Sequence, residues 1–175
     1  MRGTRRDDAE FTDFVSQYSD RLYRSAYLLT TSPHAAEDLL QTTLAKAFAG
    51  WRRLRTTDDP VAYTHRVLLN AFLSERRLRR SGELPVGELP ADRAAASTTA
   101  SYDVADRVTL MTALAELAPL DRAVVVLRFW HDLSVATTAA DLNLTESAVK
   151  NRTSRALLRL RELLADDIDL PRSTS

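Results

Sequence analysis

Leu133-Ser134-Val135-Ala136-Thr137-Thr138-Ala139-Ala140-Asp141-Leu142-Asn143-Leu144-Thr145-Glu146-Ser147-Ala148-Val149-Lys150-Asn151-Arg152-Thr153-Ser154-Arg155-Ala156 reads as two helices joined by a sharp turn. Ser134 can cap a short helix whose inner face carries Val135, Thr138, Ala139 and Leu142, and Thr145 can cap a longer one. Asn143 stands where the chain must reverse, and asparagine tolerates positive φ better than most side chains. The pattern is a helix-turn-helix. On the longer helix Val149, Ala156, Leu157, Leu160, Leu163 and Leu164 form an apolar stripe, leaving Ser147, Lys150, Asn151, Ser154 and Arg155 opposite at steps of three and four.

That opposite face has the composition a helix needs in a DNA major groove: short polar groups, an asparagine suited to adenine, and cations suited to guanine or phosphate. Arg152, like Arg159 and Arg161, is expected to meet phosphate or solvent, and Arg152 is included with the DNA-contacting set. A cationic helix face alone is usually a solvated one. The coincidence of caps, turn residue, apolar spacing and basic face predicts DNA binding.

Upstream, Val108, Met111, Leu114 and Leu117 share one helical face. Pro119 interrupts, and Asp121 is placed to cap a second helix bearing Val124, Val125, Leu127 and Phe129, with Arg128 turned to solvent. Between Ser81 and Ser101 lie Gly82, Pro85, Gly87, Pro90 and the run Ala94-Ala95-Ala96-Ser97-Thr98-Thr99-Ala100, which have little to bury. Before them apolar residues recur at helical steps, as in Phe11, Phe14, Val15, Tyr18 and Leu22, with breaks at Pro33 and Asp58-Asp59-Pro60. Helices are expected near 10–30, 34–51 and 60–80. The fold class is therefore all-α: a helical domain over 1–80, an acidic flexible linker over 81–106, a helix-turn-helix domain over 107–165, and a tail over 166–175.

The chain has 175 residues, with 24 basic and 24 acidic side chains and a formal net charge of zero. The average conceals segregation. Residues 51–80 hold eight arginines against three acids, 145–161 hold five cations against one acid, and 81–106 hold one arginine against five acids. Two basic segments flank an acidic one, which suits two contacts with nucleic acid.

No cysteine is present, which removes thiolate metal sites and cysteine nucleophiles. His34, His65 and His131 lack metal-ligand spacing or a partner nucleophile, and Asp58-Asp59 before a proline reads as a helix cap, so neither an enzyme nor a bound cofactor or metal is expected. Apolar runs such as Ala123–Leu127 are far shorter than the roughly 20 residues of a membrane span. The start, Met1-Arg2-Gly3-Thr4-Arg5-Arg6, leads into no apolar h-region. A cytoplasmic protein is expected.

His34-Ala35-Ala36-Glu37-Asp38-Leu39-Leu40-Gln41-Thr42-Thr43-Leu44-Ala45-Lys46-Ala47-Phe48 resembles the core-polymerase-binding helix of extracytoplasmic function sigma factors. Arg66-Val67-Leu68-Leu69-Asn70-Ala71-Phe72-Leu73-Ser74 resembles the family's −10 helix, and Ala148-Val149-Lys150-Asn151-Arg152 with Arg155-Ala156 its −35 helix. Tyr27-Leu28-Leu29-Thr30 and Asp59-Pro60-Val61-Ala62-Tyr63 resemble the actinobacterial sigma-E-like branch. The resemblance implies that Asp38, Leu39, Gln41, Thr42 and Lys46 meet the β′ clamp helices of core RNA polymerase and that the second domain meets the β flap. It implies that Arg55, Thr56, Thr57 and Asp58, in the loop ending at Asp59, pocket a base flipped from the −10 element, with Tyr63, Arg66 and Asn70 beside it.

For Arg76-Arg77-Leu78-Arg79-Arg80 the expected partner is phosphate. Trp51 is expected to pack rather than to stack on a base. The family further implies an anti-sigma partner, which would hold the factor at the membrane where it is itself anchored, and a linker threading the polymerase cleft. No small-molecule substrate and no membrane insertion are expected.

Three residue pairs depart from the family pattern. Thr137-Thr138 stand where an acid and an aliphatic residue are usual, Ala62-Tyr63 where tryptophan-leucine is common, and Glu146-Ser147 where glycine-threonine is usual. The other reading the residues allow is a stand-alone helix-turn-helix regulator. That would need a ligand pocket or a self-complementary apolar seam in the first domain, where 34–48 and 51–80 instead carry a polar helix and a second basic surface.

Overall fold

Prolines at the first position of three helices set much of the boundary pattern, because a fixed φ suits the first turn and the missing N–H costs nothing there. The computed structural model describes residues 2–81 and 101–168, with side chains over 7–79 and 106–165. Every described element is helical: α1 (Arg2–Thr30), α2 (Pro33–Ala49), α3 (Trp51–Leu54), α4 (Pro60–Ser81), α5 (Ser101–Ala115), α6 (Pro119–Val125), a π-helical turn (Val126–Trp130), α7 (Val135–Leu142) and α8 (Glu146–Ile168). They fall into two units, Met1–Asp92 and Arg93–Ser175.

In the first unit α2 packs against both α1 and α4. Phe14, Ala47, Trp51 and Leu54 form a buried cluster against which Phe11, Val15, Tyr18 and Val61 pack. Trp51 stands edge-on to Phe11 at 5.2 Å between centroids and tilted against Phe14 at 5.3 Å, so it packs as expected and offers no stacking platform. Leu22, Ala26, Leu29, Ala36, Leu39, Leu68, Leu69 and Phe72 complete the core.

Two boundaries differ from the sequence expectation. Helix α1 begins at Arg2, not near 10, and its early turns are tied down by Asp7 and Glu10, which pair with Arg52 and Arg55. The second helix breaks at Gly50, and Trp51–Leu54 form a separate turn. Thr31 reverses the chain between α1 and α2 with φ 61°, a left-handed conformation unusual for a β-branched residue, and its N–H donates to the Tyr27 carbonyl at 2.7 Å.

In the second unit α8 packs against α5, α6 and α7. Met111, Leu114, Leu117, Val124, Val125, Val126, Leu127, Leu142, Val149, Ala156 and Leu160 are buried. Helix α5 begins at Ser101, inside the stretch expected to be linker, because acidic residues at a helix start are favoured by its dipole and are no signal against it. Residues 82–100 of that linker, and 169–175 of the expected tail, lie outside the described residues, while 166–168 continue α8.

Val108, assigned to the inner face of α5, is 56% exposed, and so is Phe129. The π turn accounts for Phe129. His131 N–H reaches back five residues to the Val126 carbonyl at 3.1 Å, and the wider turn carries Phe129 and Trp130 off the face that Val124 and Val125 occupy. Arg128 is half-buried rather than solvent-facing, and its Nη1 donates to the Leu133 carbonyl. Asp121 does not cap α6, whose cap residue is Ala118.

Buried hydroxyls are mostly satisfied within their own helix. Thr43 donates to the Leu39 carbonyl at 2.7 Å, Thr64 to Pro60 at 2.8 Å and Thr30 to Ala26 at 2.8 Å. Thr138 differs: it is fully buried on α7 and its Oγ1 has no hydrogen-bond partner among the described residues. Burying an unpaired hydroxyl costs on the order of 1–3 kcal/mol, so Thr138→Val, which keeps the shape, is expected to stabilise the second unit by about 1 kcal/mol in a urea denaturation series. A destabilised variant would show that the hydroxyl is satisfied.

Candidate nucleic-acid and polymerase interfaces

The helix-turn-helix forms as its caps predict. Ser134 Oγ accepts the Thr137 N–H at 3.0 Å at the start of α7, and Thr145 Oγ1 accepts the Ala148 N–H at 3.2 Å at the start of α8. Between them Asn143 is left-handed, with φ 53° and ψ 48°, and the Leu144 N–H returns to the Ala139 carbonyl at 2.9 Å. Leu142 and Val149 are buried on either side of the turn, which fixes which side of α8 faces out.

Ser147, Lys150, Asn151, Ser154 and Arg155 are all exposed, on one face of α8. Ser154 Oγ donates to the Lys150 carbonyl at 3.1 Å, leaving its oxygen as an outward acceptor. Arg152 does not join them. It is turned inward, with Nη1 2.6 Å from Asp121 Oδ1 on α6. Arg159 pairs with Glu162 at 3.3 Å, and Leu158 is exposed on the outer side of the same helix.

In the first unit Asp59, not Asp58, caps α4, accepting the Ala62 N–H at 2.9 Å. The loop before it is a tight turn held by its own threonines, Thr56 Oγ1 donating to the Arg53 carbonyl at 2.8 Å and Thr57 Oγ1 to Leu54 at 2.7 Å. Asp58 is left exposed. Arg55 is occupied: its Nη1 lies 3.3 Å from Glu10 and its Nη2 3.8 Å from Asp7, while Arg52 Nε donates to Asp7 at 3.0 Å.

Along α4, Tyr63, Arg66, Asn70 and Arg77 are exposed at steps of three, four and seven, which makes one stripe. The arginine cluster is less uniform than the sequence suggests. Arg76 lies 5.6 Å from the centroid of the Phe72 ring, and burial, with Arg79 nearby, holds its guanidinium below the usual arginine range. Arg79 is bound by Glu75 at 2.6 Å and 3.0 Å. Arg77 alone of the described members is exposed, and Arg80's side chain lies outside the described residues.

On α2, Asp38, Gln41, Thr42 and Lys46 are exposed, with His34 Nε2 3.7 Å from Asp38. Leu39 is not on that surface. It is 3% exposed, in register with Ala36, Thr43 and Ala47 on the core side, since one residue along a helix turns the side chain by about 100°. The residues that sequence reasoning missed are Asp121, read as a cap, and Phe129 and Trp130, whose exposure depends on the π turn. Among the described residues no group of three or more histidines, aspartates or glutamates could hold a metal ion.

Two family models match the chain: Sigma-70 region 2 over residues 14–82 and Sigma-70, region 4, over residues 107–160. The RNA polymerase sigma-E factor of Streptomyces coelicolor is 40% identical over 161 residues, covering 91% of this chain and 89% of that one. The ECF RNA polymerase sigma factor SigM of Mycobacterium tuberculosis is 32% identical over 158 residues, covering 90% and 79%. Among solved structures, the sigma factor RpoE of Bartonella quintana in complex with the anti-sigma factor NepR superposes with a TM-score of 0.62 at 26% identity, covering 89% of this chain and 97% of that one. The chain belongs to the sigma-70 family of RNA polymerase sigma factors, in its extracytoplasmic function branch with the actinobacterial sigma-E factors, and it directs promoter-specific transcription initiation.

Proposed function

We propose that the two units divide promoter recognition, α8 reading the −35 element as duplex and α4 with its preceding loop reading the −10 element as it opens. The observation that carries this is the outward face of α8, where Lys150, Asn151 and Arg155 stand exposed on a helix-turn-helix whose inner side is marked by buried Val149. Arginine and lysine address guanine O6 and N7 or phosphate, and asparagine addresses adenine N6 and N7. Ser147 and Ser154 add short polar contacts.

At the −10 element, Tyr63 offers an exposed ring and Arg66, Asn70 and Arg77 line the same stripe, a composition that suits unpaired bases and their backbone. The turn Arg55-Thr56-Thr57-Asp58 is the candidate pocket for a flipped base. Asp38, Gln41, Thr42 and Lys46 on α2 are the candidate contacts with the polymerase β′ clamp helices, and the second unit the contact with the β flap. The domain spans we assign are 1–80 and 107–165, the latter extended back by the start of α5 at Ser101. The factor supplies no chemistry of its own; it positions polymerase and traps open DNA.

A cytoplasmic location follows from this role, and among the described residues no helix is long and apolar enough to cross a membrane. Regulation by an anti-sigma factor is supported by the related sigma factor solved in complex with one.

Run-off transcription with purified core polymerase on promoters bearing −35 and −10 elements tests the whole reading. Protein-dependent starts are expected, and Arg155→Ala should lower them about 10-fold or more, since a good base contact is worth roughly 1–3 kcal/mol. Asp38→Ala should lower co-purification with core while sparing the fold. Specific DNA binding without core and without protein-dependent starts would instead establish a stand-alone regulator. In the same holoenzyme, Asp7→Asn with Glu10→Gln should release Arg52 and Arg55 and tighten binding to a fork carrying the −10 element at low salt, with little change in thermal midpoint. Unchanged affinity would remove Arg55 from the −10 surface.

A further inference from the structure

Asp121 and Arg122, adjacent on α6, make ties in two directions. Arg122 is 4% exposed, and its Nη2 donates to the carbonyls of Ala115 and Leu117 at 3.0 Å each, satisfying acceptors that the end of α5 leaves open. Asp121 lies in the first turn of α6, where the helix dipole favours a carboxylate, and its Oδ1 accepts from Arg152 Nη1 at 2.6 Å across 31 residues of sequence. Both side chains are largely withdrawn from solvent, Arg152 at 28% and Asp121 at 19% exposure.

We propose that Arg152 is a positioning residue, which fixes the roll of α8 through Asp121 and makes no contact with DNA. This rests on α8 being the −35 reader. The apolar side of α8, through Val149, Ala156 and Leu160, selects which side faces inward, but apolar contact is non-directional and leaves the finer rotation about the helix axis weakly specified. A charge-assisted hydrogen bond is directional. At a radius of about 6 Å a roll of about 20° displaces a side-chain tip by about 2 Å. That exceeds the roughly 0.5 Å spread of good hydrogen-bond lengths. Lys150 and Asn151 precede Arg152 and Arg155 follows it by less than one turn, so the ion pair sets the azimuth of the readers themselves.

A phosphate contact and a positioning role give opposite results in holoenzyme binding to a −35 promoter and to the same promoter with a scrambled −35, measured across a salt series. Positioning predicts that Arg152→Gln and Asp121→Asn each lower the preference for the −35 sequence by about tenfold. The double variant should be no worse than either single, and Arg152→Lys should recover part of the preference. The slope of log affinity against log salt should stay unchanged in all four, whereas Arg155→Ala lowers it by about one if it meets a phosphate. A slope lowered by about one in Arg152→Gln, with Asp121→Asn binding as well as or better than the parent, would overturn the proposal in favour of direct contact. So would equal losses on both promoters, the mark of a general folding defect, or an unaltered preference in both singles. If Lys150→Ala and Arg155→Ala also leave the preference unchanged, α8 is not the reader, and the functional assignment falls rather than the ion pair alone.

Discussion

The outward face of α8 depends on one backbone reversal: Asn143 in the left-handed region, with the Leu144 N–H returned to the Ala139 carbonyl. With that turn in place, Leu142 and Val149 meet the same core from two helices, and whatever lies opposite Val149 must face outward. Residues i+1, i+2 and i+6 from Val149 are Lys150, Asn151 and Arg155, so the exposed polar and cationic set follows from the apolar anchor by helical geometry. Ser134 and Thr145 add the caps that keep the N-terminal ends of both helices from fraying.

Zero net charge in a DNA-binding protein is explained by where the charges are used. Several arginines have partners within the protein: Arg122 at the carbonyls that end α5, Arg152 at Asp121, Arg79 at Glu75, and Arg52 and Arg55 at Asp7 and Glu10. The pairs near the surface contribute little stability, because solvent screens them, but each ties a cation to a carboxylate of the same chain. Among the described residues, the exposed cations on the two candidate faces are few and ordered: Lys150 and Arg155 on α8, and Arg66 and Arg77 on α4. Count of arginines is therefore a poor guide to the footprint, and their partners a good one.

The all-α class, the caps at Ser134 and Thr145, the turn at Asn143 and the exposed set Ser147, Lys150, Asn151, Ser154 and Arg155 are legible in the sequence, because each depends on residues within a few positions of one another. Leu39 was misplaced for a different reason. A motif match assigns a role to a run of residues, whereas a helix sends neighbours about 100° apart, so Asp38 and Leu39 cannot share a surface. Phe129 was misplaced because the periodicity of Val124 and Val125 was carried through a π turn that resets it.

Local chemistry in the sequence by itself determined the helix class, the two segregated basic segments, the helix-turn-helix and its outward polar face, since periodicity, caps and turn residues act over one or two helical turns. Only the tertiary structure decided which cations remain available. Asp7 with Arg52 and Asp121 with Arg152 are 45 and 31 residues apart, and nothing in the spacing of either pair announces a contact. Long-range ion pairs form because the packing of apolar faces brings their helices together, and that packing is a property of the folded chain rather than of any segment of it.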